Sequence, residues 1–180
     1  SYDGLLEPLG QSQVLQYLKE LAKQHTLTLV SYEKLEDWQD VSRRESLKEE
    51  VQQAAIQWMP LKYHKRPSAV ATAYDILIGF SLCSFLTVTR KIQIVHARSY
   101  VPSVIALSLK KLFGLRYVFD MRGFWADERL DGNIWPRNSR IYKVAKWFES
   151  RFLLKADAVI SLTNAGVSEI SLFEEGYAVF

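Results

Sequence analysis

Short apolar runs alternate with longer amphipathic segments along the chain. The short runs are rich in β-branched and aromatic residues, which is typical of strands. They predict strands at residues 27–32, 92–95, 116–119 and 158–162, with a further short strand at 56–59. Tyr2 is expected to end another strand that begins before the sequence does. This pattern predicts a fold in which strands and helices follow one another in turn.

The segments between the strands have helical periodicity. Helices are predicted at residues 12–24, 33–55, 67–89, 100–113 and 138–154, and the second of these is strongly polar. Strand–helix–strand alternation favours a parallel sheet with helices on both faces. We find no repeat and no internal linker, so residues 1–180 are interpreted as one domain.

One helical segment is unusually apolar. Residues 76–88 carry no charge, but Asp75 and Arg90 confine the segment to about a dozen residues, whereas a membrane span needs about 20. A buried or membrane-facing helix is therefore preferred over a membrane-spanning one, and burial is the favoured interpretation. The basic residues Lys62, Lys65 and Arg66 precede it. They predict peripheral contact with an anionic membrane surface, with a solvated basic loop as the alternative.

Composition and charge narrow the class of protein. The chain has 48% hydrophobic and 24% charged residues, which is typical of a folded globular protein. A net charge of +3 over 180 residues gives no reason to expect a nucleic-acid partner. With a single cysteine, Cys83, and three histidines, the chain offers neither an internal disulfide nor a zinc cluster, and we expect a cytoplasmic location. The sequence starts without Met and stops in an apolar run, so we expect a piece of a longer protein.

The carboxyl ends of parallel strands meet at one edge of a sheet, where ligands bind. His96 follows one strand directly and is a candidate proton or hydrogen-bond donor; a satisfied structural histidine is the alternative. The long segment 120–135 follows the next strand. Its Arg122 could hold a phosphate and its Trp125 could stack on a sugar ring. The alternative is that Arg122 pairs with nearby acids and the Trp rings cap the sheet.

The position of Gly10 suggests a turn that could approach a phosphate. Gly10 lies two residues before a helix that is expected to open at Ser12, a turn that can bring the backbone close to a phosphate. A plain turn is the alternative. The chain has neither G-x-G-x-x-G nor G-x-x-x-x-G-K-[ST], which disfavours nicotinamide or flavin oxidoreductases and P-loop proteins.

Four motifs resemble those of family 4 glycosyltransferases of the GT-B fold. They are residues 1–13 (SYDGLLEPLGQSQ), 95–100 (VHARSY), 119–128 (FDMRGFWADE) and 161–167 (SLTNAGV). The resemblance covers all 180 residues but only the amino-terminal half of such enzymes. It implies a Rossmann-like domain, mainly acceptor-binding, and an absent carboxyl-terminal domain that holds the nucleotide sugar.

The resemblance also implies roles for individual residues. Gly10 matches the loop that approaches the donor diphosphate, and His96 and Arg98 fall in a loop near substrate hydroxyls. Asp120 stands where many relatives have a histidine, and an ionised carboxylate cannot donate a hydrogen bond as an imidazole does. The full candidate set comprises three catalytic residues, Asp120, Arg122 and His96, and five substrate-binding residues, Gly10, Arg98, Trp125, Glu128 and Thr163.

These observations predict part of a retaining glycosyltransferase that moves a sugar from a nucleotide sugar to a glycan, lipid-linked or small-molecule acceptor. No metal or other cofactor is expected, because relatives stabilise the leaving diphosphate with basic side chains and helix ends. We expect residues 1–180 alone to be inactive, and the protein to be cytoplasmic or peripheral at the inner face of a membrane. The alternative is a stand-alone, non-catalytic α/β binding module.

Overall fold

The computed structural model describes residues 1–66, 68–136, 138–171 and 178–179. The chain divides into two compact units, Ser1–Gly79 and Phe80–Phe180. The first contains a π-helical segment, Gly10–Leu15, then α1 (Gln16–Ala22), β1 (Leu27–Glu33), α2 (Leu35–Gln39), α3 (Val41–Gln53) and β2 (Ile56–Lys62). Helix α4 (Ser68–Arg90) runs from the first unit into the second.

The second unit continues with β3 (Ile94–Arg98), α5 (Tyr100–Phe113), β4 (Arg116–Met121), α6 (Trp125–Asp131), α7 (Arg140–Lys155), β5 (Ala158–Ser161), α8 (Asn164–Ser171) and β6 (Ala178–Val179). Its four strands form a parallel sheet in the order β3-β4-β5-β6. Helix α5 packs on β3 and β4, and α7 packs on β4 and α5. Buried aromatic side chains fill this core, chiefly Tyr117, Phe119 and Phe152.

The first unit has its own sheet and core. Strands β1 and β2 pair in parallel, from Leu27 opposite Ile56 to Glu33 opposite Lys62. The apolar sides of β1, α3 and the amino-terminal segment meet in a cluster of aliphatic residues: Leu5, Leu6, Val14, Leu15, Leu29, Leu47, Val51 and Ile56. Burial of these side chains provides the main stabilisation of the unit.

The predicted parallel α/β, Rossmann-like class is confirmed, but the strands lie in two sheets rather than one. The polar helix predicted over 33–55 is wrong at its start: Glu33 ends β1, and the helix breaks at Asp40. The Asp40 carboxylate caps α3 by accepting from the Arg43 N–H at 3.1 Å. Tyr2 lies in no strand.

The strand predicted at 92–95 is shifted to Ile94–Arg98, because the polar His96 and Arg98 belong to the strand itself. Burial, the favoured interpretation of residues 76–88, is also wrong, whereas the membrane-facing helix stays a prediction. An 18-residue window within 69–90 of α4 has a mean hydropathy of 1.7, and only 22% of it is buried. Among the described residues, this is the single helix long and apolar enough to cross a membrane by length and composition.

Candidate functional site

An ion pair joins the carboxyl ends of β3 and β4. The parallel register places Arg98 directly opposite Asp120, so both side chains leave the sheet on the same side. The Arg98 guanidinium donates to the Asp120 carboxylate at 3.1 Å. Both residues are almost fully buried, with 4% and 3% of their surface exposed. Such a pair is held in one geometry, since breaking it would leave a buried charge.

His96 completes this group from the same strand. Its Nε2 is buried and lies 3.5 Å from the Asp120 carboxylate oxygen that also accepts from Arg98. The His96 side chain keeps 26% of its surface exposed, against 5% for Arg98 and Asp120. His96 is therefore the most exposed member of the group, and the Asp120 carboxylate lies between its two neighbours.

The backbone after β3 holds this edge in place. The Ser99 N–H donates to the Asp120 carbonyl oxygen at 3.0 Å, which links the ends of the two strands. Ser99 has a φ of 73°, a conformation that is costly for a residue other than glycine. Ser99 is the N-cap of α5, so this strained residue joins the end of β3 to the start of the helix.

The segment after β4 carries the next candidates. Arg122 is half-buried, and its Nε is shielded from solvent. The exposed Glu128 folds back over Gly123, where a Cβ atom would overlap the Glu128 carboxylate. A glycine at 123 therefore lets the Glu128 carboxylate lie against the backbone next to Arg122.

Trp125 lies in a cluster of rings. Its ring centroid is 5.3 Å from that of Tyr100 and 4.9 Å from that of Trp135, and the Arg129 guanidinium lies 5.3 Å above it. These contacts match the alternative interpretation, in which the Trp rings cap the sheet. Trp125 remains half-buried, so its packing role leaves part of the side chain accessible.

A polar network that was not predicted from the sequence connects residues 120–135 to the neighbouring helices. The buried Glu149 carboxylate accepts from the Tyr100 hydroxyl and from Lys146, and Lys146 also donates to Asp127 at 2.8 Å. Burial, reinforced by the Glu149 charge, raises the pKa of Tyr100. Burial opposes the charge of Lys146, but Asp127 and Glu149 outweigh it and raise the pKa of Lys146. The network ties α5, α6 and α7 together.

A sequence signal for Glu149 existed. It lies four residues after Ala145 and three before Phe152, which places an acid on the apolar face of α7. Buried acids in such positions are nearly always paired. By contrast, the apolar residues Ile141 and Val144 of the same helix are exposed, although helical spacing alone would place them on its apolar face.

Thr163 follows β5 at the same edge of the four-stranded sheet, because Met121 and Ser161 are opposite each other in the register. It is exposed, and its hydroxyl accepts from the Gly166 N–H at 3.0 Å in the first turn of α8. The hydroxyl thus caps the helix.

The first unit holds the loop that contains Gly10. Gly10 is buried and begins the π-helical segment, so the helix opens earlier than predicted at Ser12. A Cβ on Gly10 would overlap the Gly4 carbonyl oxygen and lie 2.9 Å from the Leu5 Cα. Close packing of the loop against itself therefore requires this glycine, whether or not a phosphate approaches it.

Glu33 anchors the same loop and was not predicted to do so. Its carboxylate accepts from the Leu5 N–H at 2.8 Å and from the Leu6 N–H at 3.1 Å, and it is almost fully buried. A cavity of about 160 Å³ is lined by Glu33, Leu35, Trp38, Pro60, Leu61 and Lys62, near the carboxyl ends of β1 and β2. An aromatic wall beside charged groups is a setting that suits a sugar.

The structure thus brings His96, Arg98 and Asp120 into contact, with Arg122, Trp125, Glu128 and Thr163 at the same edge of the second unit. Gly10 belongs to the first unit. Within the described parts of the chain, no group of three metal-ligating side chains occurs.

The family model of the glycosyl transferase 4-like domain matches residues 10–173. The chain belongs to this family. The resemblance to the amino-terminal domain of family 4 glycosyltransferases is thereby confirmed. No curated protein and no solved structure matches the chain. The site at the β3–β4 edge therefore lies within a glycosyltransferase-like domain, whose general role is glycosyl transfer.

Proposed function

We propose that the chain is the acceptor-side half of a retaining glycosyltransferase. In this proposal a second, donor-binding domain supplies the nucleotide sugar, and the sugar passes to a glycan, a lipid-linked molecule or a small molecule. The observation that carries the proposal is the His96–Asp120–Arg98 group within the region matched by the glycosyl transferase family.

His96 is the residue that we assign to the substrate. Asp120 lies beside its buried Nε2, and a carboxylate in that place fixes the orientation of the ring. Because Nε2 is buried, we assign the hydrogen bond to a sugar hydroxyl to the other ring nitrogen, Nδ1. The histidine that many relatives have at the position of Asp120 is absent, and His96 supplies an imidazole at the same edge instead.

Arg122 is our candidate for charge stabilisation. The charge of Arg98 is balanced by Asp120 at 3.1 Å, so Arg98 mainly orders the strand ends. Arg122 follows β4 at the same edge, and a guanidinium there can hold a diphosphate in two hydrogen bonds. No metal is needed in this scheme, because basic groups neutralise the leaving diphosphate.

The proposal also covers where the protein is located and whether residues 1–180 are active without a donor-binding domain. We place the protein in the cytoplasm, in keeping with a single, free Cys83. Residues 1–180 alone should turn over no donor, because the diphosphate is stabilised only when both halves of the site meet.

The test is nucleotide release from a set of nucleotide sugars, measured for residues 1–180 and for the same chain joined to its donor domain. The joined protein should release nucleoside diphosphate, and NMR of the product should show the anomeric configuration of the donor retained. Turnover by residues 1–180 alone would contradict the two-half site. Sugar binding without turnover by the complete protein would favour the non-catalytic binding module.

A further inference from the structure

Helix α4 presents an apolar face to solvent. Six large apolar side chains on it are 39% to 67% exposed, and we call them the apolar stripe: Val70, Tyr74, Leu77, Ile78, Phe85 and Val88. Their spacing of mostly three, four and seven residues places them on one side of the helix. The exposed Ala73 and Ser81 lie on the same side. From Val70 to Val88 the stripe is about 27 Å long.

The opposite side of α4 is held by the protein. Asp75 is almost fully buried, and it accepts from the Tyr2 hydroxyl at 2.9 Å and from the His64 N–H at 3.2 Å. Ala71 and Leu86 are also buried. The usual arrangement of a surface helix is therefore reversed, with the acid facing inward and the apolar residues outward.

The charges around the stripe have one sign. Residues 62–91 contain five basic residues and a single acid, and that acid is the buried Asp75. All five basic residues are exposed, and they lie at the two ends of the helix: Lys62, Lys65 and Arg66 before it, Arg90 and Lys91 at its end and just after it.

We propose that the apolar stripe and its basic ends form a docking surface for an anionic lipid bilayer. An apolar helix face of this length suits the boundary between headgroups and acyl chains, and basic residues at both ends suit anionic headgroups. The helix lies in the plane of the bilayer and does not cross it, because crossing would strip Asp75 of Tyr2 and His64.

This surface is independent of the proposed transfer reaction. It is tested with the full chain by co-sedimentation with vesicles of phosphatidylcholine alone, or containing about 30 mol % phosphatidylglycerol. We expect binding to the anionic vesicles only. Leu77→Glu with Phe85→Glu, and separately Lys65→Glu with Arg66→Glu, should each weaken it about tenfold or more. Leu112→Glu is the matched control, because Leu112 on α5 is 63% exposed and outside the stripe.

A fluorescent label measures the orientation directly. With Cys83→Ser as background, an environment-sensitive dye on Leu77→Cys should shift to shorter wavelength on anionic vesicles, and one on Leu112→Cys should not. Unchanged binding by the Leu77→Glu, Phe85→Glu variant, or equal shifts at both positions, would overturn the proposal. Self-association that depends on Leu77, without vesicle binding, would assign the stripe to a second copy of the chain and overturn it too.

Discussion

The Arg98 guanidinium donates to the Asp120 carboxylate at 3.1 Å, and both residues are almost fully buried where β3 and β4 end side by side. Because of this pair, a substitution at Asp120 affects both the activity and the stability of the protein. Loss of the carboxylate would leave the Arg98 charge buried without its acid, so a fall in activity at Asp120 would include a fall in stability.

We therefore predict that Asp120→Ala lowers the free energy of unfolding by about 3–5 kcal/mol. Urea denaturation followed by circular dichroism measures this. The double replacement Arg98→Met with Asp120→Leu removes both charges and should cost much less, since an apolar pair can replace a buried ion pair. An Asp120→Ala chain as stable as the wild type would show that the pair contributes nothing to the fold.

Gly10→Ala should destabilise the first unit by about 1–3 kcal/mol, because the added methyl group overlaps the Gly4 carbonyl oxygen and presses on Leu5. Thermal or urea unfolding provides the measurement. Leu9→Ala is the control, since Leu9 is adjacent but 51% exposed, and it should change stability little. A fully stable Gly10→Ala chain would argue that this glycine is kept for ligand approach and not for packing.

Asp157 makes the free energy of unfolding depend on pH in the acid range. Burial opposes its charge, but hydrogen bonds from Lys110 and the Tyr117 N–H outweigh it and hold the pKa of Asp157 below its ordinary value of 3.8. A folded-state pKa below the unfolded one stabilises the protein above pH 3.8, and the contribution is lost as the pH falls through the folded-state pKa.

Accordingly, the stability difference between wild type and Asp157→Asn should be largest near neutral pH and should shrink as the pH falls below 3.8. Denaturant unfolding over a pH series measures this difference. Lys110→Met, which removes one of the two donors, should flatten the same pH dependence. A difference that grows toward acid pH would show that the folded protein does not stabilise the ionised form of Asp157.

Much of the fold followed from local pattern. Helix α5 was predicted with its observed bounds, Tyr100–Phe113, from its apolar pattern, and the structure shows that Gly114 ends it in the left-handed conformation. The extension of β3 to Arg98 and of β4 to Met121 could not be predicted from apolar runs. His96, Arg98 and Asp120 are polar residues in strands, and their mutual contact decides their place.

The site was predicted in part for the same reason. Sequence order identified which residues lie near the carboxyl ends of the strands, but not which of them pair. The Asp120–Arg98 pair depends on the register, and the Glu149 network depends on α7 packing against α5. Similarly, the composition of residues 76–88 favoured burial, and only the inward position of Asp75 shows that the apolar side of α4 faces out.

In the proposed reaction His96 contacts the substrate, and Asp120 holds the His96 ring in place. The most direct test is kcat for nucleotide-sugar turnover by the complete protein carrying His96→Ala, with His25→Ala, an exposed histidine outside the site, as control. We predict that His96→Ala folds normally and lowers kcat by about 10²–10⁴-fold, while His25→Ala keeps full activity. Unchanged kcat in a folded His96→Ala protein would contradict the claim.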